Sequence, residues 1–276
     1  MGKRVKITEE LKKDIINFYR SKPMSFLTVS EKYGLCLPTI SKILKDEERY
    51  KKASIFNPDF DEAYFENIDT EAKAYFFGLI IADGNVFIDE KNKKANRQAV
   101  ISIMLNSSDE YILERFKNEV KTNTIVGHDG RGCSQIAVRS NKMSKDLEKY
   151  GVVPRKSFIT YLPQIDKELM PHLIRGIMDG DGSINAHLIK SGRFLHSIAF
   201  CGTHRLMSEI SDFIYSNANL NTKPKVYDYK TRTLSEIAVR GIDDMFKLGE
   251  FIYNNSTIYL NRKRETYNMF LEHYNF

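Results

Sequence analysis

The 276-residue chain is poor in cysteine, with Cys36, Cys133 and Cys201 far apart and no CxxC pair among them. That spacing excludes a zinc framework or a disulfide-stapled scaffold and fits a reducing compartment. No apolar run approaches the roughly 20 residues a membrane helix needs. The start, Met-Gly-Lys-Arg-Val-Lys, lacks the apolar core of a signal peptide. The reading is therefore an intracellular, cytoplasmic protein with no membrane partner, encoded by a bacterium or phage, or active in an organelle. Negative charge is also in deficit, since 42 Lys and Arg face 36 Asp and Glu, for a net charge of +6 and a pI near 9.0. Such a balance favours a polyanionic partner. What is present is apolar bulk: 42% hydrophobic residues, with 17 Phe and 15 Tyr, suffice for a packed core. The length fits one large domain, or a small domain and a larger one.

One short pattern occurs twice. Phe76-Phe77-Gly78-Leu79-Ile80-Ile81-Ala82-Asp83-Gly84 returns as Ile174-Arg175-Gly176-Ile177-Met178-Asp179-Gly180-Asp181-Gly182, displaced by 98 residues (181 − 83). Each copy reads as an apolar helix with a small-residue stripe, ending in an acid and a glycine. Gly78 and Ala82, like Gly176 and Gly180, are four apart, so each pair shares one helix face and permits close backbone approach. If the copies pack together, Asp83 and Asp181 arrive side by side at the same end. Two carboxylates fixed at a helix seam suit a divalent metal. A second match supports duplication: Ile136-Ala137-Val138-Arg139 recurs as Ile237-Ala238-Val239-Arg240, at an offset of 101 (237 − 136).

These paired motifs closely resemble the LAGLIDADG homing endonucleases in their single-chain, double-motif form, over about residues 69 to 265. The resemblance implies an α+β fold of two pseudo-symmetric αββαββα units forming a DNA-binding saddle. It implies Asp83 and Asp181 as metal-binding catalytic acids, with the carbonyls of Ala82 and Gly180 as further ligands. Mg²⁺, or Mn²⁺, is the implied cofactor, and a double-strand break across the minor groove with short 3′ overhangs is the implied product. The sixth motif position, often acidic in the family, is Ile81 in one copy and Asp179 in the other. Basic runs close the two copies, at Pro154-Arg155-Lys156-Ser157 and Asn261-Arg262-Lys263-Arg264. Family members often carry a lysine here that leans toward the scissile phosphate, which nominates Lys156 and Lys263 for transition-state stabilisation.

Residues 5 to 45 read as three short helices. Thr8 caps the first, Ser25 caps the second before Gly34 stops it, and Pro38 opens the third. Helix, glycine turn and helix resemble a helix-turn-helix, with Thr39, Ser41, Lys42 and Lys45 turned to the major groove. The domain reading is 1–48 for this module, 49–68 for a charged linker, 69–160 for the first LAGLIDADG unit and 161–276 for the second. Within each unit, strands and helices follow the motif in the same order. Ser107 and Glu110 have capping-box spacing before the first unit's second helix.

Strand alternation turns Ile136 and Val138 toward the helices and leaves Gln135, Ala137 and Arg139 on the open face, with Glu236, Ala238 and Arg240 as counterparts. DNA contacts are expected from Gln135, Arg139 and Arg240 on the strands, and from Arg97, Arg131, Arg193, Lys225 and Arg232 near the hairpins. The resulting expectation is a monomeric, site-specific double-strand DNA endonuclease. Two rivals remain open: an RNA maturase with intron RNA as partner, and a helix-turn-helix regulator that clamps DNA without cutting. A Met-Gly start and an Asn275-Phe276 end read against an intein.

Overall fold

Thr8 Oγ1 accepts from the Leu11 amide at 3.2 Å and opens α1, Glu9–Ser21, as its sequence position demands. This holds in the computed structural model, which describes residues 7–21, 26–44, 59–88, 99–152, 161–229 and 234–276. Two compact units emerge, one containing the first three helices and the other all remaining elements.

In the N-terminal unit, α2 spans Phe26–Tyr33 and α3 Leu37–Leu44. Gly34 ends α2 with a left-handed φ of +62°, where a Cβ would be strained. The Leu35 amide then reaches back to the Ser30 carbonyl. Ile15, Tyr19, Val29, Leu35, Ile40 and Leu44 form the core of this unit, so the 3.6-residue spacing of the apolar positions is realised in packing. Tyr33 fastens α2 to α1 by donating its hydroxyl to Asp14 Oδ2 at 2.9 Å.

The larger unit repeats one layout. Its first half runs α4 (Glu71–Ala82), β1 (Gly84–Ile88), β2 (Ala99–Asn106), a 3-10 turn at Ser107–Asp109, α5 (Glu110–Glu119), β3 (Gly127–His128), β4 (Cys133–Arg139) and α6 (Asn141–Lys149). Its second half runs α7 (Met170–Asp181), β5 (Gly182–Leu188), β6 (Phe194–Gly202), α8 (His204–Asn217), β7 (Tyr227–Asp228), β8 (Ser235–Val239), α9 (Ile242–Tyr253) and α10 (Asn261–Tyr274). Both sheets are antiparallel, with orders β1-β2-β4-β3 and β5-β6-β8-β7. Their registers correspond too: Ile136 pairs with Ile103 on β2, and Ile237 with Phe200 on β6.

Three details depart from the sequence reading. Tyr64, Phe65 and Ile68, at the end of the stretch read as linker, are buried, and Phe65 stacks on Phe116 at 6.4 Å between centroids. The Ser107–Glu110 capping box does not form. Asn106 Oδ1 caps the 3-10 turn from the Ser108 amide, while Glu110 Oε2 is drawn across to the Ser134 hydroxyl at 2.8 Å. Finally, the basic run from Asn261, read only as the close of the second copy, opens the 14-residue α10.

Candidate metal centre and nucleic-acid interface

Helices α4 and α7 pack against each other with their backbones in contact. A Cβ on Gly78 would run into the Leu173 carbonyl and the Ile177 amide, and one on Gly176 into the Tyr75 carbonyl and the Leu79 amide. These contacts map onto each other under the same 98-residue shift (173 − 75 and 177 − 79), the signature of a local two-fold axis. Gly in mid-helix costs about 1 kcal/mol relative to Ala. Here it is the condition for the approach.

The seam brings the two acids to one end. A Cβ on Gly180 would overlap Ala82 Cβ and lie 3.3 Å from Asp83 Oδ2, so the first copy's carboxylate touches the turn that carries Asp181. Asp83 caps α4, with its amide bonded to the Leu79 carbonyl at 2.8 Å, and Asp181 is the last residue of α7. Both are exposed. Gly84 and Gly182 follow, and space rather than a left-handed backbone requires them. A Cβ on Gly84 would strike Ile80, and one on Gly182 would strike the Met178 and Ala199 carbonyls. The chain can therefore enter the strand immediately, leaving each acid at a fixed helix-strand junction.

The second acid's surroundings are buried and polar. Lys263 is only 5% exposed, and its ammonium donates to the carbonyls of Met178 (2.6 Å), Asp179 (2.8 Å) and Gly182 (2.7 Å). Its three protons thus cap the C-terminal turn of α7. Burial pulls its pKa down to about 8, against the opposing pull of Asp179. In this pose Lys263 holds the backbone beneath Asp181 and has no proton left for a phosphate. Asp179 Oδ2 accepts from Tyr75 Oη and the Leu260 amide, each at 2.9 Å, and burial raises its pKa in spite of the Lys263 charge.

Arg175 stands where the first copy has Phe77 and is fully buried. It donates to the Ile258 and Ile252 carbonyls and, at 2.7 Å, to Glu71 Oε1 on α4. Glu71 also accepts from the Thr257 amide and hydroxyl. Arg262 bonds the buried Asp109 at 2.9 Å, and Tyr111 Oη donates to the Tyr259 carbonyl. Sequence reasoning assigned no role to Glu71, Asp109, Tyr111 or Arg175. The one signal available was Arg175 itself, a charged residue where the first copy has Phe77.

The open sheet faces follow the alternation expected. On β4, Gln135 and Arg139 are exposed while Ile136 and Val138 are buried. On β8, Ile237 and Val239 are buried, Glu236 and Ala238 are half-buried on the other side, and Arg240 is exposed just beyond the strand. Arg131, Arg193 and Lys225 are exposed. Buried Asp244 accepts from the Asn221 and Thr222 amides at 2.6 and 3.0 Å, fixing the loop that brings Lys225 into one groove with Tyr227 and Arg240. On α3, Thr39 and Ser41 are half-buried and Lys42 is exposed. Lys45, Arg97, Lys156 and Arg232 lie outside the described residues.

The carboxylate pair fits a hard cation. Among the described residues no cluster of three His, Cys, Asp or Glu could hold a metal. Mg²⁺ requires none, because it takes one or two carboxylates and completes its shell with water and substrate phosphates. Also among the described residues, no helix is long and apolar enough to cross a membrane.

Solved structures share this fold. I-AabMI, a LAGLIDADG meganuclease bound to uncleaved DNA, superposes with a TM-score of 0.54 over 73% of this chain and 89% of its own, at 13% identity. I-SmaMI, a LAGLIDADG homing endonuclease bound to cleaved DNA, gives 0.55 over 76% and 91%, at 15% identity. The fold is that of the LAGLIDADG homing endonucleases. A further I-SmaMI structure holds uncleaved DNA in the presence of calcium ions, with a TM-score of 0.52 over 73% of this chain and 91% of its own, at 14% identity. No protein-family model and no curated protein sequence matches the chain.

Proposed function

We propose that the protein is a monomeric, site-specific DNA endonuclease that makes a double-strand break with divalent metal, Mg²⁺ being the physiological choice. The observation that carries this reading is the meeting of Asp83 and Asp181 at one end of a two-fold-related helix seam, beside two sheets with open faces. A phosphodiester needs an activated water, charge neutralisation at phosphorus and help for the departing oxygen, and bound divalent cations would supply all three.

The chain's own residues do the placing. Each acid serves one strand, and the glycine after it fixes the carboxylate at the helix end. The carbonyls of Ala82 and Gly180 stand next to the acids as further oxygen donors. Lys263 acts as a positioning residue, holding the last turn of α7, and the phosphate-facing role falls to Lys156. Gln135, Arg139, Arg240, Arg131, Arg193 and Lys225, with Arg97 and Arg232, engage bases and phosphates. The α1–α3 module adds a second DNA contact through Thr39, Ser41, Lys42 and Lys45. Both acids are retained at the seam, which disfavours a regulator that clamps without cutting.

The test is cleavage of intron-free and intron-interrupted host DNA with Mg²⁺, followed by mapping of the ends. Wild type should give a double-strand break at a defined site in the intron-free allele. Asp83→Asn and Asp181→Asn should each abolish it while DNA affinity stays within a few-fold, since affinity comes from phosphate and base contacts. Full cutting by the doubly substituted protein would refute the assignment.

A further inference from the structure

The open rows of β4 and β8 are Gln135-Ala137-Arg139 and Glu236-Ala238-Arg240, read at every second residue. Their strand pairings put them in equivalent places, at an offset of 101 (236 − 135). They differ at one position. A carboxylate there is anomalous on a face meant for a polyanion, because facing phosphates it would only repel. It is also held in place. Glu236 Oε2 accepts from Tyr229 Oη at 2.5 Å, a short bond to a charged acceptor. Among the described residues, Oε1 is paired only with Arg240, at 3.7 Å, beyond hydrogen-bond length. The Glu236 side chain is 29% exposed and belongs to the open row of β8.

A part-exposed carboxylate oxygen with no close donor among the described residues calls for a base-edge donor. In the major groove, guanine offers N7 and O6 and thymine offers O4, all acceptors. Adenine offers its N6 amino group beside the acceptor N7. Cytosine alone offers a donor, N4, with no acceptor next to it. Glutamine, by contrast, can accept from adenine N6 and donate to N7 through its amide.

We propose that Glu236 is a specificity-determining residue that accepts the N4 amino group of a cytosine in one half-site, while Gln135 takes an adenine at the equivalent place in the other. The two halves of the target therefore differ at this base pair. This assignment rests on the DNA-endonuclease reading above.

The experiment is selection of bound duplexes from a randomised pool, in EDTA so that binding alone is read, for wild type, Glu236→Gln and Gln135→Glu. Wild type should favour C·G at one position of one half-site by about 5-fold or more, the scale of a good base contact. Glu236→Gln should convert that position to A·T and leave the others unchanged. Gln135→Glu should convert the equivalent position of the other half-site from A·T to C·G. Circular dichroism of each variant checks folding, and either exchange alone suffices to support the assignment. Enriched wild-type sequences in which no position responds to either exchange would overturn it. Failure of wild type to enrich any sequence would instead take down the DNA-reading function itself, and the assignment with it.

Discussion

Four glycines decide the geometry of the seam, and each does so by what it lacks. Gly78 and Gly176 admit the partner helix's backbone, whereas Gly84 and Gly182 let the strand begin directly after the acid. Gly176→Ala tests this, because two effects compete. Helix propensity favours alanine by about 1 kcal/mol. The added methyl, however, meets the Tyr75 carbonyl and Leu79 amide, and backbone cannot yield as a flexible side chain can. Overpacking should win, with a net loss of about 2–3 kcal/mol in urea unfolding. A neutral or stabilising result would mean that the helices are not in backbone contact. The acids respond differently to substitution, since Asp83 and Asp181 are exposed and carry little of the core. Each Asp→Asn variant should unfold at a urea midpoint close to wild type while leaving at most one strand nicked. Gel separation of nicked from linear plasmid reads that outcome.

At the level of elements, period and punctuation made most of the larger unit legible. The helix that ends at each acid and the alternation on β4 and β8 follow from residues close together in the chain. Helix α10 was hidden because its N-cap, Leu260, offers no side-chain acceptor, and because Arg262, Lys263 and Arg264 look like a solvated turn. Arg262 and Lys263 are instead satisfied from far away. Lys263 finds its carbonyls 81 to 85 residues upstream, and Arg262 finds Asp109 at a separation of 153. No local pattern encodes such partners.

The same holds for Glu71, whose carboxylate joins the start of α4 to Arg175 on α7 and to the Thr257 segment leading into α10. Burial alone would raise the Glu71 pKa, but hydrogen bonds from Thr257 and the Arg175 charge outweigh it and hold it below 4.5. A depressed carboxylate contributes stability that is fully present above its unfolded value and lost as pH falls through its folded one. Glu71→Gln should thus cost about 3 kcal/mol at pH 7, because it leaves the buried Arg175 guanidinium without its counter-charge. It should also flatten the decline of stability below pH 4.5. Urea midpoints from pH 7 to pH 3 check both, and a variant whose acid decline matches wild type would remove Glu71 from the linkage.

On the scale of the whole molecule, the duplication and the added N-terminal unit make separate contributions to one proposed task. If Arg139 and Arg240 are equivalents, alanine at each should disturb contacts in opposite half-sites. An arginine bonded to guanine would cost about 1–3 kcal/mol and relax preference at that base, whereas a phosphate contact would weaken all sequences evenly and reduce the salt slope by about one unit. Footprinting both variants on one target separates these cases, and two variants that perturb the same half-site would contradict the two-fold arrangement. The N-terminal unit has its own apolar core, built from Ile15, Tyr19, Val29, Leu35, Ile40 and Leu44, and neither seam acid lies within it. A tethered second DNA contact raises the effective concentration of the first without touching its chemistry. Removing residues 1 to 50 should therefore weaken binding and shorten the footprint at one end. Cleavage should still fall at the same phosphates once enzyme concentration is raised. An unchanged footprint would reduce α1–α3 to a packing module, and a shifted cleavage site would show that these helices set the register of the cut.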